Sequence, residues 1–569
     1  MTGIQESYTE IPDAYAMAKA RGMHFVTVTD HDAIEGSLEL VRRFPGDTFT
    51  GVEVTARFPE NGCEVHVLVY DLNERQFEII QSIRHSIYTL REYLRSEHLP
   101  HSVAHATFNM HKAFSIDTLE KLALLFDVFE GTNGTRNGRH NRIGNRFLEQ
   151  LTPEKIEELS DRHSIEPFSD TPWIKGFTGG SDDHAGLFIG KTFTSAACTS
   201  RKDFLRCLRD KKTLCGGRSS NYRAMAFTFF KIGQDFSDSL TSKKRDPLSS
   251  WVRRVILQDR RPGLPEKLAA WGWRFSPDPK QKCLGRMIGN LLRDLDSYQT
   301  LNLDEKIDCV YRRLSNYFDE LIKIYIADIE KSLSRGRMME ILRKLWSVVP
   351  AGFMPVPFLM MMRILHQNRD LINKLKARLN PETVPSEKVV LWFTDAAWSF
   401  EETTEFYEKL QRRAGLKHSN LRVVVSLPES DGRARLLPGV LNLPPVYSVT
   451  FEKLKPLTLH IPSLLGSLGQ IQKLHPDEIM VDTPGPLGLL GLLASRLLDV
   501  PCTNGAALGL SAPYLLQDEV LAAMMRDYTK WFTSLLDIPS ASEMVTQPLS
   551  HSLQTCLTLD ACSEAVICS

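Results

Sequence analysis

The ten cysteines of this 569-residue chain form no CxxC pair, and three of them lie in the last fourteen residues. That scatter excludes a disulfide framework and a structural zinc ribbon. Net charge is missing as well, because 69 Lys and Arg balance 69 Asp and Glu. Global attraction to nucleic acid or to an anionic membrane is therefore excluded, and no stable nucleic-acid binding is expected. The opening run MTGIQESYTEIPDAYA has no basic-then-apolar leader, which makes a cytoplasmic location the expectation. No HxH triplet occurs anywhere, and residues 531–569 contain neither Lys nor Arg. The tail 536–569 is rich in Ser, Thr, Leu and Cys without a clear period, so no well-formed domain is expected there. What remains is ordinary globular material, 42% hydrophobic and 24% charged. The length suggests three or four domains at roughly 100–200 residues each.

Histidine is concentrated where cysteine is not. Of the 16 histidines, 11 fall between His24 and His184. The same region alternates strand and helix patterns. Residues 11–21 and 33–43 read as helices, and HFVTVT at 24–29 as an apolar β-branched strand. FTGVEVT ends a strand near Glu53, and EVHVLVY at 64–70 is a strand carrying His66. One long amphipathic helix is expected over 74–96, then the strand SVAHA, a helix near 117–126, the strand DVFEG and a helix near 153–163. GFTGGSDDH closes the series. Such alternation marks a parallel α/β fold with polar groups at strand ends.

Those strand ends carry a set of metal-ligating types: Asp30 and His31 in VTVTDHD, Glu53, His66, His105 in SVAHA, then Asp182 and His184 in GGSDDH. Read singly, TDH is a turn cap and His66 a satisfied core histidine. Read together, the seven point to a divalent-cation site, because hard or borderline ions need several His and carboxylate ligands converging on one point. The loop GTNGTRNGRHNR adds Arg136, Arg139 and Arg142 as candidate clamps for phosphate, with a solvated basic loop as the alternative.

TDHDAIEG, the GVE and His66 pair, SVAH and GGSDDHAGLFIG together resemble the polymerase and histidinol phosphatase (PHP) superfamily over residues 6–215. The resemblance implies a distorted (β/α)7 barrel holding two or three divalent ions, commonly zinc, manganese or iron. It implies hydrolysis of a phosphoester by hydroxide held on those ions. The implied ligands are Asp30, His31, Glu53, His66, His105, Asp182 and His184. Catalysis is then expected of Asp30, His31, His105, Asp182 and His184, with Asp183 beside the site, the exchange of Asp182 and Asp183 being the alternative. The implied substrate is a phosphorylated small molecule or nucleotide. Members of the family open with an HxH strand upstream of these motifs. This chain reads MTGIQESYTE at that point, so a barrel lacking one strand and two ligands is expected, with an unpaired edge. The family's AHP is AHA here.

Residues 231–384 read as a helical connecting region. Within it, 345–362 carries no charge but holds three prolines, which favours a buried helical hairpin over membrane contact. A second α/β region covers 385–535. VVLWFTDAAWSF and DEIMVDTPGPLGLLGLLASRLLDVPC resemble the N-terminal, Rossmann-like domain of a family-four retaining glycosyltransferase. The resemblance implies a strand-to-helix loop in which Gly485, Gly488 and Gly491 permit tight packing and the helix N-terminus faces the cleft. A nucleotide sugar would belong to the intact fusion. The first loop lacks the family's Asn-Gly pair, the CTNGAALGLSAPY segment lacks its histidine, and the residues after 535 are expected to be too few for a donor domain. Sugar transfer by this chain is therefore not expected. The fused pair resembles bacterial proteins in which a PHP domain precedes such a transferase. The fold class expected is α/β: PHP-like barrel at 1–230, helical middle, Rossmann-like domain, irregular tail. The first functional reading is a metal-dependent phosphoesterase. The alternatives are a glycosyltransferase that has lost its donor domain and a non-catalytic interaction module.

Overall fold

The structure is a computed structural model. It describes residues 7, 9–108, 114–240, 271–298, 301–334, 355–379, 388–395, 420–429, 439–450, 458–481 and 485–504. The segment EETTEFYEKLQRRAG at 401–415, whose sequence reads as a helix, the first half of the uncharged stretch, the CTNGAALGLSAPY loop past 504 and the tail lie outside these residues. The described residues form two compact units. One contains residues up to 240 together with 367–379; the other contains 271–366 and 388–504.

The first unit begins with helices α1 (Ile11–Ala20) and α2 (Glu35–Arg43). A five-stranded sheet follows, in the spatial order β1 (Gly51–Arg57), β2 (Glu64–Tyr70), β3 (His101–Val103), β4 (Val128–Asn133), β5 (Gly176–Gly180). Parallel alternation was the expectation, and the sheet is mixed. β1 pairs β2 and β2 pairs β3 antiparallel, while β3–β4 and β4–β5 are parallel. Glu53 therefore sits inside a hairpin strand that runs on to Arg57, not at its end. The two-residue period sorts the hairpin's side chains. Val52, Val54, Ala56, Val65, Val67 and Val69 join one apolar core. Leu68 and Tyr70 on the opposite face join a second cluster with Phe49, Ala104, Val128, Leu205 and Leu208. Each such side chain contributes about 1.5–3 kcal/mol on burial.

The helices α3 (Glu74–Ile83), α4 (Ile87–Ser96), α5 (Ile116–Leu125), α6 (Gly138–Glu149) and α7 (Pro153–His163) fill the connections. The single helix expected over 74–96 is two. Asn73 and Gln76 form a capping box on α3, and the Ser86 side chain accepts from Thr89 N to start α4. Between them Arg84 leaves the helical face to donate to the Thr55 carbonyl at 3.0 Å and to pair with Asp32 at 3.1 Å. HFVTVT does not join a ladder either. Among the described residues it makes one isolated parallel bridge, Val26 with Thr48, and a second, His31 with Glu53, lies just past it. A hairpin β6 (Thr192–Ser195) and β7 (Leu214–Gly217), with α8 (Arg201–Arg209) between and α9 (Tyr222–Leu240) after, completes the N-terminal part. The helix Arg369–Leu379, from the stretch read as a connector, adds Leu371 and Leu375 to the main core of this unit.

The second unit holds α10 (Pro279–Tyr298), α11 (Leu303–Ser334) and α12 (Val356–Leu365), which begins inside the uncharged stretch. Pro355 and Pro357 open α12, where a missing N–H costs nothing. Phe358, Met361, Met362, Ile364 and Leu365 are buried. No described helix is long and apolar enough to cross a membrane. Strands β8 (Val389–Phe393), β9 (Asn420–Val425), β10 (Val440–Asn442), β13 (Glu478–Val481) and β14 (Cys502–Asn504) form a sheet ordered β10-β9-β8-β13-β14, with every pair parallel. The hairpin β11 (Pro445–Thr450) and β12 (Thr458–Pro462) and helices α13 (Leu464–Lys473) and α14 (Pro486–Leu498) complete it.

Candidate metal centre

Glu53 is the centre of the constellation. Its neighbours on β1 point into the apolar core, so the pleat turns Glu53 to the opposite face, together with His66 of β2. Oε1 lies 2.8 Å from His66 Nδ1 and 3.5 Å from His105 Nε2, and Oε2 lies 4.0 Å from His31 Nε2. His66 Nδ1 and His105 Nε2 are 3.3 Å apart. One ligand atom from each of His31, Glu53 and His66 falls within 4.8 Å of the others. Glu53 is only 7% exposed, yet its Oε1 receives no aligned hydrogen bond. A buried carboxylate oxygen crowded by imidazole nitrogens without hydrogen-bond geometry is suited to share a cation with them.

Backbone contacts fix this cluster. Glu53 N donates to the Asp30 carbonyl at 3.1 Å and Asp32 N to the Glu53 carbonyl at 2.9 Å, which docks the TDHD segment on β1. The Asp32 carboxylate accepts from Thr55 N at 3.0 Å. Asp32, His105 and Asp182 have φ of 50°, 28° and 47°, the left-handed region that non-glycine residues avoid. Asp182 meets Thr135 Oγ1 at 2.7 Å, Asn133 Nδ2 at 3.1 Å and Arg136 Nη2 at 3.5 Å. His184 Nδ1 lies 3.7 Å from Asp182 Oδ1, and the His184 ring stacks toward His31 with centroids 6.3 Å apart. Asp30 is exposed on the cavity wall, and its Oδ2 lies against Gly36 in the first turn of α2. Asp183 accepts instead from the backbone of Ala185, Phe188 and Ile189, so it shapes the loop beside the site.

Protonation suits ligation at His31, His105, Glu53 and Asp182, whereas His66 must shed a proton to ligate. Burial pushes His31 and His105 down, which leaves their nitrogen lone pairs available at neutral pH. Burial would lower His66 too, but its contact with Glu53 raises it overall. Burial would raise Glu53, yet the facing imidazoles hold it well below the ordinary carboxylate range. Burial likewise opposes ionisation of Asp182, and Arg136 and His184 overcome it. The nitrogen and carboxylate donors present fit zinc, manganese or iron.

A cavity of ≈ 400 Å³ opens beside the cluster. Thr27 to His31 line one wall, Gly179 to His184 another, and Phe49, Leu68 and Phe204 its apolar floor. None of the three arginines lines it. Asn137 caps α6 by accepting from Arg139 N and His140 N, so Arg139 and Arg142 ride on a helix, not on a loop. Arg139 donates to Asn373 at 2.7 Å. The Arg136 guanidinium stacks on Phe108 at 4.1 Å and faces Asp182. Sequence reasoning missed Glu130, Asn133 and Thr135. Glu130 accepts from His105 N and Asn133 Nδ2, both at 2.9 Å. Burial, then nearby Asp182, pushes Glu130 up to about 8. The available signal was an acid inside the apolar strand DVFEG.

In the second unit, the N-terminus of α14 meets a carboxylate from its own chain. Asp395, just past β8, accepts from Leu487 N at 3.1 Å and Gly488 N at 3.3 Å. A Cβ at Gly485 would stand 2.3 Å from Asp395 Oδ2, so glycine is required there. The helix end expected to face an open cleft is thus capped internally.

No protein-family model matches this chain, and no curated protein matches it. A solved structure from Bifidobacterium adolescentis, named "putative metal-dependent phosphoesterase", matches with 15% identity over 36% of this chain and 92% of that one, at a TM-score of 0.20.

Proposed function

We propose that the first unit is a metal-dependent phosphoesterase of the PHP type. The observation that supports this reading is the convergence of His66 and His105 on one oxygen of the buried Glu53 carboxylate, with His31 against its other oxygen. Bound divalent ions would supply an acidified water and offset charge on the phosphoryl oxygens. His31, Glu53, His66 and His105 would hold one side of the centre, and Asp182 and His184 the other. The cavity beside them would admit the phosphoester. Asp30 at its wall stands close enough to the opening to meet the substrate. The three arginines are not part of this proposal, because they lie off the cavity.

The second unit supports a separate reading of fold. Numbered along the chain, its parallel strands run 3-2-1-4-5, the order of doubly wound nucleotide-binding sheets. We infer a Rossmann-like domain there, without sugar transfer, since Asp395 occupies the helix end that would otherwise meet an anion.

Metal analysis of the purified full chain tests the first reading, paired with His66→Ala and with assays on a phosphomonoester and a phosphodiester in manganese or zinc. Bound metal and turnover in the wild type, both lost in the variant, are expected. A wild-type chain with neither would overturn the reading.

A further inference from the structure

Glu130 stands in a strand that otherwise needs no acid. Its neighbours Val128 and Phe129 are buried in apolar clusters, and Glu130 itself is 8% exposed. In a regular strand, residues 130 and 133 would point to opposite faces. The pairing of β4 with β5 slips between Glu130 and Thr132, leaving Gly131 as an extra residue. A bulge of this kind changes the parity of the strand and re-aims side chains. It brings Asn133 Nδ2 within 2.9 Å of Glu130 Oε2. The same Oε2 accepts from His105 N at 2.9 Å. The Asn133 amide also reaches Asp182 Oδ2 at 3.1 Å, while Asn133 Oδ1 accepts from Thr135 N and Thr135 Oγ1. A Cβ at Gly180 would stand 2.5 Å from Glu130 Oε1, so β5 keeps glycine where this carboxylate lies.

Two proposed metal ligands with left-handed backbone, His105 and Asp182, are thus tied to one buried group from a third strand. We propose that Glu130 is a positioning residue of the metal centre. It holds the strained turn at His105 through the backbone amide, and it holds Asp182 through the shared side-chain amide of Asn133. The inference rests on the phosphoesterase reading above and adds a cavity-lining residue that the metal-ligating motifs do not contain. Residues that orient ligands in this way change metal affinity about 10–100-fold when removed.

The test uses the full chain and manganese titrations, followed by activity on a phosphomonoester. Glu130→Ala removes both anchors and should weaken manganese about 10–100-fold. Glu130→Gln keeps the volume and one oxygen, and that oxygen can accept both existing bonds, so it should stay within about threefold of wild type. Of the two anchors, Asn133→Ala severs the one to Asp182, together with the Thr135 bonds, and leaves the His105 amide bond to Glu130; it should weaken manganese about tenfold, a result that stands even where Glu130→Ala fails to fold. Arg91→Ala removes a different buried charged group, one that is no metal-ligating type and that donates to the carbonyls of Glu166 and Pro167. It should lower stability and leave manganese affinity unchanged. Wild-type affinity in Glu130→Ala or Asn133→Ala would overturn the positioning role alone. A Glu130→Gln chain as weak as Glu130→Ala would also overturn it, by showing that the negative charge is what counts. Absence of manganese binding by the wild type would overturn the phosphoesterase reading, and this one with it.

Discussion

Replacing Glu53 by glutamine tests the centre without changing its shape. The carboxylate is buried and 2.8 Å from His66 Nδ1. At an effective dielectric constant of about 20, a charged pair at that distance attracts by about 6 kcal/mol, and burial offsets much of this. Breaking a buried pair typically costs about 3–5 kcal/mol, so a loss near ~3 kcal/mol is expected for the metal-free protein at pH 6. The sign of the pH dependence follows from His66. Its contact with Glu53 raises it against the opposing effect of burial. Stabilisation by the pair is fully present below the unfolded value of about 6.5 and is lost as pH rises through the raised folded value. The gap between wild type and Glu53→Gln should therefore narrow toward pH 9. Manganese should reverse the order of dependence. At a concentration about 100 times its dissociation constant it would stabilise wild type by about 2.7 kcal/mol. A variant binding 10–100-fold more weakly would gain about 0.4–1.4 kcal/mol under the same conditions. The assay is denaturant unfolding with and without manganese, read in the transition that the metal shifts. Equal stabilisation of both proteins by manganese would refute the assignment of Glu53.

Two further outcomes concern stability alone. His101 is buried between Phe126 and Phe168, its Nδ1 meets the Leu99 carbonyl and its Nε2 has no hydrogen-bond partner among the described residues. Burial lowers its affinity for a proton, so the unfolded chain protonates first, and stability should fall as pH drops below about 6.5 and level off beneath the folded value. His101→Phe should flatten that slope in acid unfolding curves, and an unchanged slope would count against it. Asp395→Ala removes the cap of α14 and should cost about 1–2 kcal/mol in denaturant unfolding, with Asp395→Asn losing less because one acceptor remains. Equal losses in both variants would show that the capping bonds are not what Asp395 contributes.

The sequence was most legible where a local period decides the structure. EVHVLVY at 64–70 and the helix at 153–163 stand where the pattern places them. The break at 84–86 was not legible, because it depends on Arg84 finding the Thr55 carbonyl across the hairpin. Sheet direction escaped for a similar reason. Antiparallel and parallel strands share one residue period, and only the partner decides. HFVTVT has strand propensity but, among the described residues, finds a bridge partner only at Val26. The candidate ligands could be picked out as polar groups among strand-like residues. Glu130 could not be joined to them, since a one-residue slip at Gly131 decides which face Asn133 shares. The arginines misled because glycines in GTNGTRNGRHNR suggested a loop, while Asn137 starts a helix there.

The hairpin of β1 and β2 also sets an order of assembly. Its register puts Glu53 opposite Leu68 and His66 opposite Thr55, so both side chains share one face of a local structure. Closing a short loop costs less entropy than closing a long one, and nearby segments meet first. His105 comes later in the chain, and Asp182 later still. During synthesis Glu53 and His66 would emerge and pair long before the rest of the centre existed. A divalent ion could then be held weakly by the nascent hairpin and act as a template on which the later strands close, so that metal supply during translation would influence how much of the chain reaches its folded form.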